Sequence, residues 1–226
     1  MSLARIPWPD VARDELTVAV PVGSFEQHGP HLPLDTDTRI ASAVVQALGE
    51  VEVAPPIEYG ASGEHEGFAG TISIGSAALE LLLVEYGRSV CRWARRVVFV
   101  NGHGGNGPSL AKAVDLLRYE GRDVTWWPCA VPGADAHAGR TETSLLLHLH
   151  PDAVVPDRAE VGNTEPIADL MPRLRAGGMI AATTNGILGD PTGASAEEGQ
   201  RLFDGLVTRA RAAVERWHPG PGGRLV

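Results

Sequence analysis

Short runs of apolar and aromatic residues alternate with amphipathic helical patterns along the 226 residues of this chain. The runs are LTVAVPV at 16–22, VVFV at 97–100 and VTWW at 124–127. Apolar residues at helical spacing predict helices over 38–48, 76–93, 108–118 and 195–217. Strands that lack polar alternation are typical of a parallel sheet covered on both faces. The alternation therefore predicts an α/β fold with a mainly parallel sheet between helices, in a single domain over 1–226.

The C-terminal region contains the signature of a helix start, followed at the end by a segment that shows no sign of regular secondary structure. Ser195 and Glu198 have the spacing of a capping box, which predicts that the last helix begins there. The tail PGPGGRLV, residues 219–226, has no periodic pattern. We expect this tail to be loose.

Composition excludes several classes of protein. The net charge is -9, which argues against a nucleic-acid partner because such proteins need a basic face. No apolar stretch approaches the roughly 20 residues of a membrane span, and the N-terminus lacks the apolar core of a secretory signal. The two cysteines, Cys91 and Cys129, have no CxxC spacing. These features predict a cytoplasmic protein with reduced thiols and no membrane or nucleic-acid partner.

Three polar, glycine-punctuated segments follow the predicted strands. They are GSFEQHGPHLPLDTDTR at 23–39, NGHGGNG at 101–107 and DAHAGRTETS at 135–144. In an open parallel sheet, the loops that leave the carboxyl ends of the strands share one edge and form the ligand crevice. We therefore expect the histidines and carboxylates of these segments to lie close together.

The composition of the first segment is typical of a metal-binding site. Imidazole nitrogen and carboxylate oxygen from Glu26, His28 and Asp37 suit zinc, manganese or iron, and the lack of thiolates argues against a purely structural zinc. Each residue also has a simpler interpretation, because Asp35 or Asp37 could cap the following helix and His31 could be a hydrogen-bonded loop histidine. An EF-hand is excluded, since DTDTR lacks the glycine and distal glutamate of that loop.

The second segment also matches the dinucleotide fingerprint GxGxxG. That reading requires an acidic residue at the end of the next strand, whereas Asp123 precedes VTWW. His103 would also project where a pyrophosphate must approach bare backbone. We expect instead that the glycines let the chain turn tightly, so that His103 reaches an ion. A serine nucleophile is not favoured either, because neither Ser24 nor Ser144 lies in a GxSxG elbow.

The third segment places His137 five residues before Glu142. If a helix begins after Gly139, Glu142 lies in its first turn and His137 in the preceding loop, so both can face the crevice. An alternative role for Glu142 is simply to complement the helix dipole, which is worth about 0.3–1 kcal/mol.

The motifs EQHGPHLPLDTD, NGHGGN and HAGRTETS, with YGASGEHEGFAGTISI between them, resemble the creatininase (creatinine amidohydrolase) family over nearly the whole chain. The resemblance implies a three-layer α/β/α sandwich and a hydrolytic centre with two divalent ions, zinc, iron or manganese. It implies that Glu26, Asp37 and His103 hold one ion. His28 and the bridging Asp37 would hold the other, and His137 would carry the proton to the leaving amine.

One position departs from the creatininase pattern. A glutamate that completes the second ion in creatininase is replaced here by Gly105. We expect Glu142 to take its place, because two divalent ions need more negative charge than Glu26 and Asp37 supply. The remaining polar or glycine positions of the motifs are candidates for supporting the imidazoles or binding substrate: Asp35, Glu64, His65, Gly104 and Gly105.

Within the family, DAHAGRTETSLLL, GNTEPI and NGILGDPTGAS are most similar to the peptidase branch of the mycofactocin system, which trims a ribosomally made precursor peptide. This similarity implies hydrolysis of an amide bond before a modified C-terminal Val-Tyr unit. Hydrolysis of creatinine or of a formamide is the alternative, and a non-catalytic metal-binding scaffold is a distant one. The family resemblance also implies a homo-oligomer, with a hexamer expected.

Overall fold

The computed structural model describes residues 2–11 and 15–226. Four parallel strands form one sheet in the order β2-β1-β3-β4. Their bounds are Thr17–Val22 for β1, Glu52–Val53 for β2, Arg96–Asn101 for β3 and Val124–Pro128 for β4. The three predicted strands are confirmed within a residue or two. The short strand β2 has too few residues to show a period and was not predicted.

The bounds of the α-helices in the described chain are Trp8–Val11 for α1, Thr36–Ala47 for α2, Gly75–Val90 for α3, Gly107–Tyr119 for α4, Arg140–Leu149 for α5, Ile167–Gly177 for α6 and Ala196–Arg216 for α7. Of these helices, α2, α3 and α4 connect the strands, α1 precedes β1, and α5, α6 and α7 follow β4. The predicted helices are confirmed with shifted ends. The hydroxyl of Ser195 caps α7 by accepting a hydrogen bond from the Glu198 amide at 3.2 Å. The sequence analysis did not predict α6, which carries Pro172 in its interior.

Two buried apolar clusters cover the two faces of the sheet, which makes the three-layer α/β/α arrangement. On one face, residues such as Val98 pack against α2, α5 and α7. On the other face, Val20 and Phe99 pack against α3 and α4. Because both faces are covered, the strands β1 and β3 are buried along almost their whole length, which is the reason for their continuous apolar sequence.

The C-terminal tail is ordered, so the expectation of a loose tail was wrong. The Leu225 amide donates a hydrogen bond to the Trp126 carbonyl at 2.8 Å, and the Trp126 indole donates to the Gly222 carbonyl at 2.9 Å. Leu225 is itself only 2% exposed. The physical reason is that β4 lies at one edge of the sheet, where its unpaired backbone groups need partners.

Helix α6 belongs to a third, smaller apolar cluster at the carboxyl end of the strands. Leu170 of α6 packs with Met179, Ala182 and Leu188. This cluster builds a wall beside the loops that were expected to carry the chemistry. None of the described helices is both long and apolar enough to cross a bilayer, and Cys91 and Cys129 are free thiols.

Helix α4 offers a matched pair of leucines that tests the packing of the second core. Leu117 is fully buried, whereas its neighbour Leu116 is 41% exposed. Leu117→Ala should lower the free energy of unfolding by about 2–5 kcal/mol because it leaves a cavity. Leu116→Ala should change it by less than about 0.5 kcal/mol. Urea unfolding curves measure both, and equal losses in the two variants would contradict the packing described.

Candidate metal centre

Loops at the carboxyl edge of the sheet bring imidazoles and carboxylates into one buried cluster. The turn after β1 carries Glu26 and His28, and it is fixed by a hydrogen bond from the Glu26 amide to the Leu34 carbonyl at 2.9 Å. The first turn of α2 carries Asp37, and the loop after β3 carries His103. The prediction that these segments meet at one edge is confirmed.

Two further imidazoles complete the cluster. His65 ends a short 3₁₀ helix, Gly63–His65, and His137 lies in the loop before α5. Both are buried. The sequence analysis named His65 only among the supporting candidates, although the GEHEG motif offered a histidine between two glutamates.

Glu26 lies at the centre of the cluster. Its Oε1 atom is 3.2 Å from His103 Nδ1, 3.3 Å from His65 Nε2 and 3.9 Å from His137 Nδ1. The second carboxylate, Asp37, bridges two imidazoles. Its Oδ1 is 3.3 Å from His28 Nε2, and its Oδ2 is 3.4 Å from His103 Nδ1.

The carboxylates of this cluster fit a divalent cation. Within the described chain, no donor reaches either oxygen of Glu26 or Oδ2 of Asp37 in hydrogen-bond geometry, although both residues are buried. A buried carboxylate oxygen without a partner is costly. Three groups of the described chain offer ligand atoms that lie within 4.8 Å of one another: Glu26, His28 and Asp37; His28, His137 and Glu142; and Glu26, His65 and His137. A metal ion would satisfy these oxygens.

In His28 and His103, the ring nitrogen that points away from the carboxylates contacts a backbone carbonyl, as is usual for histidines that bind metal ions. His28 Nδ1 lies 3.1 Å from the Glu26 carbonyl, and His103 Nε2 lies 3.3 Å from the Ala61 carbonyl. Because a carbonyl only accepts, each of these nitrogens carries the proton. The opposite nitrogens then face Asp37, on the side where an ion would bind. Glu64 Oε1, 3.4 Å from His103 Nε2, adds the carboxylate that often supports a ligating histidine.

The pKa values of several groups in the cluster differ strongly from their ordinary values. Burial alone would lower the pKa of His28, but Asp37, Glu142 and Glu26 raise it to about 10. Burial would also lower the pKa of His103, but the neighbouring Glu26 and Glu64 raise it above its ordinary value. Burial and the neighbouring Glu26 raise the pKa of Asp37 above its ordinary value. In the metal-free chain, protons therefore occupy nitrogens where an ion would bind.

Glu142 lies in the first turn of α5, as predicted. Its Oε2 accepts a hydrogen bond from the Ala138 amide at 2.6 Å and lies 4.0 Å from His28 Nε2. The start of α5 already has another partner, because the Asp135 carboxylate accepts from the Arg140 and Thr141 amides. Glu142 is therefore not needed to cap the helix, which favours a role toward the cluster.

Gly105 could not carry a side chain in this structure. A Cβ atom there would lie 2.4 Å from His103 Nε2 and 2.7 Å from Glu64 Oε1. The space is thus occupied by the Glu64 carboxylate and the His103 ring. Gly104, by contrast, has open space at its Cβ position and lines the cleft.

Two polar residues of the first motif lie outside the cluster. Asp35 does not support an imidazole there, because its Oδ1 accepts from Arg39 Nε at 2.7 Å, one helical turn away. His31 is a hydrogen-bonded loop histidine, with Nε2 2.8 Å from Thr143 Oγ1. No pattern in the sequence pointed to Gln27, whose side chain lies between His65 and His137.

A cleft of about 620 Å³ opens onto the cluster. Its floor includes Asp37, His65 and His137, and its wall is the apolar side of α6 with Met171 and Leu174. A second cavity of about 310 Å³ lies beside it and shares lining residues such as His103 and Glu142. The open space of the cleft therefore continues beyond His103 and Glu142.

Comparison with known proteins identifies the family. The family model Creatininase (Creatinine amidohydrolase) matches residues 4–214. This chain belongs to the creatininase family. It is 62% identical, over 92% of its length and 88% of the relative's, to "Mycofactocin precursor peptide peptidase" of Mycolicibacterium smegmatis.

Solved creatininase structures agree with the fold and with a metal-dependent site. One described as "Creatininase Mn" superposes with a TM-score of 0.80 at 27% identity, covering 97% of this chain and 99% of that one. A mutant creatininase described as "Zn-Zn type" gives a TM-score of 0.80 at 27% identity, covering 97% and 98%. The creatininase family thus supplies metal-bound relatives for the histidine and carboxylate cluster.

Metal binding should release protons. His28 Nε2 faces Asp37 with a raised pKa, so an ion at that nitrogen must displace a proton. The apparent affinity for zinc should therefore rise between about pH 6 and 8, by about tenfold per pH unit for each proton released. Titration against a competing chelator measures the slope. His148→Gln, which replaces an imidazole outside the cluster beside Phe203, should leave the slope unchanged, and a flat pH dependence in the parent protein would contradict this assignment.

Proposed function

We propose that this chain is a metal-dependent peptidase that cleaves the mycofactocin precursor peptide. The observation that carries the proposal is the 62% identity to the Mycolicibacterium smegmatis peptidase, which spans 92% of this chain. Identity to the solved creatininases is much lower, at 27% for the manganese form. Residue 105 also differs from the creatininase pattern, and its surroundings leave no room for a glutamate. These observations favour a peptide over creatinine or a formamide.

The shape of the cleft supports a peptide substrate. The space under α6 is bounded by Ile167, Met171 and Leu174, which suit apolar side chains. A second cavity continues beyond His103 and Glu142. We propose that the modified Val-Tyr end and the peptide ahead of it occupy these two spaces, with the scissile amide at the cluster between them.

The residues of the cluster divide into two sets of ligands. We propose that Glu26, Asp37 and His103 hold one divalent ion and that His28, Asp37 and Glu142 hold a second, with zinc, iron or manganese as the metal. Divalent ions in such a site polarise a carbonyl and lower the pKa of water. A non-catalytic scaffold is disfavoured, because the open cleft gives substrate access to the cluster.

His137 is the candidate proton carrier. Burial, together with the neighbouring His28, lowers the pKa of His137 to about 4, so the imidazole is neutral near pH 7. Its Nδ1 faces the cluster, 3.9 Å from Glu26 Oε1. A neutral imidazole can accept a proton from the attacking water and pass it to the leaving amine.

The domain organisation, the cellular location and the assembly of the protein are also proposals. We propose that residues 1–226 act as one domain, which the shared sheet between two cores supports. We further propose a cytoplasmic homo-oligomer, with a hexamer expected from the family resemblance.

Substrate assays test the proposed function directly. The metal-loaded protein should release the Val-Tyr-derived unit from the modified precursor peptide and leave creatinine and a formamide unchanged, as measured by mass spectrometry. Cleavage of creatinine in place of the peptide would overturn the proposal.

His137→Ala should retain its metal but lose turnover by about 10²-fold or more, the usual effect of a general acid–base residue. Loss of metal from His137→Ala would make His137 a ligand.

Glu142→Gln tests the second set of ligands. The amide is nearly isosteric but uncharged, so it should bind a divalent ion more weakly. We expect the variant to fold, to lose part of its metal on dialysis and to lose peptide hydrolysis. Glu197→Gln, which changes an exposed glutamate in the first turn of α7, is the matched control for the helix dipole. Full activity of Glu142→Gln at limiting metal would show that Glu142 serves the helix alone.

A further inference from the structure

Gln27 occupies a buried position that the proposed mechanism does not use. It is 5% exposed and follows directly after the central carboxylate Glu26. Its side-chain Nε2 atom lies 3.0 Å from His65 Nδ1 and 3.2 Å from His137 Nε2. A single amide is thus in contact with both imidazoles that line the floor of the cleft.

Two backbone groups determine which way the Gln27 amide points. The Gly29 amide donates to Gln27 Oε1 at 2.9 Å, and Gln27 Nε2 donates to the Gly186 carbonyl at 3.0 Å. A flipped amide would set oxygen against the Gly186 carbonyl and its NH₂ group against the Gly29 N–H. Both contacts would then be lost, so the NH₂ group must face His65.

This orientation determines the tautomer of His65. The Gln27 NH₂ group only donates, so His65 Nδ1 must accept and carries no proton. The proton of the neutral ring then lies on Nε2, which faces Glu26 Oε1 at 3.3 Å. An imidazole nitrogen that carries a proton has no lone pair to offer a metal ion.

The backbone of the same residue determines the tautomer of His137. His137 Nε2 lies 2.8 Å from the Gln27 carbonyl, which only accepts, so this nitrogen carries the proton. The two N–H groups of the Gln27 amide are already used by His65 Nδ1 and the Gly186 carbonyl, so its 3.2 Å contact with His137 Nε2 is not a hydrogen bond. The unprotonated Nδ1 then faces Glu26 Oε1. Both rings are therefore in the same tautomer, but they turn different nitrogens toward Glu26.

We propose that Gln27 is a positioning residue that makes His65 a proton donor and His137 a proton acceptor on the two sides of Glu26. His65 then turns an N–H toward the Glu26 carboxylate, 3.3 Å away but outside hydrogen-bond geometry, and is not a metal ligand. His137 presents the lone pair that a proton carrier needs. The catalytic roles of His65 and His137 rest on the proposed peptidase function, whereas their tautomers do not.

The surroundings of Gln27 are built to hold this amide. Gly186 has φ +79°, and a Cβ atom there would lie only 1.9 Å from Gln27 Oε1. The Gln27 backbone amide is held separately, by a hydrogen bond to Thr71 Oγ1 at 3.1 Å. Side chain and backbone can therefore be perturbed independently.

The tautomers can be measured by ¹⁵N NMR of the zinc-loaded protein with labelled histidine. We expect both His65 and His137 to carry the proton on Nε2 in the parent protein. A proton on His65 Nδ1, or a zinc-bound His65 Nε2, would overturn the proposal. This measurement needs no variant and no substrate. A failure to cleave the precursor peptide would refute the proposed function alone.

Gln27→Met separates the side chain from the backbone. It removes the donor but keeps the volume and the carbonyl, so His65 should populate both tautomers while His137 stays unchanged. Peptide turnover should fall about 10- to 100-fold, the usual effect of losing a residue that orients active-site groups. Thr71→Val, the control, loosens the backbone but should leave the His65 tautomer intact. An unchanged His65 in Gln27→Met would contradict the proposal.

Metal content supplies an independent readout. His65→Gln places an amide NH₂ group near the position of Nε2, so the protein should retain as much zinc as the parent after dialysis. His103→Ala should lose zinc under the same conditions, because it removes a candidate ligand. Equal loss of zinc from His65→Gln would show that His65 binds the ion and would overturn its assignment as a donor.

Discussion

Glu26 and Asp37 are two carboxylates buried in one cluster, and much of the surrounding structure follows from the need to satisfy them. Oxygens of both lack a hydrogen-bond donor within the described chain, while several imidazoles surround them. Burying such groups is unfavourable unless opposite charge is close by. In the metal-free chain that charge comes from protonated His28 and His103, and a divalent cation can replace it.

The outer contacts of the imidazoles are as specific as the cluster itself. Backbone carbonyls of Glu26, Ala61 and Gln27 accept hydrogen bonds from three rings and thereby turn the opposite nitrogen of each ring inward. His65 is the exception, because it meets the Gln27 NH₂ group and so turns an N–H inward. Four histidines of identical chemistry thus acquire different roles through their hydrogen-bond partners.

Helix α6 forms an apolar wall of the cleft that opens onto the cluster of histidines and carboxylates. It lies beside the strand ends, where Leu170 packs against Met179 and Leu188, and it presents Met171 to the cleft. The creatininase family includes metal-bound relatives, and in the proposed function this apolar wall would contact an apolar side chain of the peptide. The identity to a precursor-peptide peptidase agrees with that reading.

Much of this protein could be predicted from its sequence, because continuous apolar runs specify buried parallel strands and because loops after such strands must meet at one edge. That reasoning brought Glu26, Asp37, His103 and His137 together correctly. It could not give the contacts of Gln27 or distinguish the hydrogen-bond partner of His65 from those of the other histidines. Those contacts depend on which donor or acceptor lies about 3 Å from each ring nitrogen, and residues distant in sequence supply those groups. Helix periodicity and motif spacing carry no information about such contacts, so only the tertiary structure decided them.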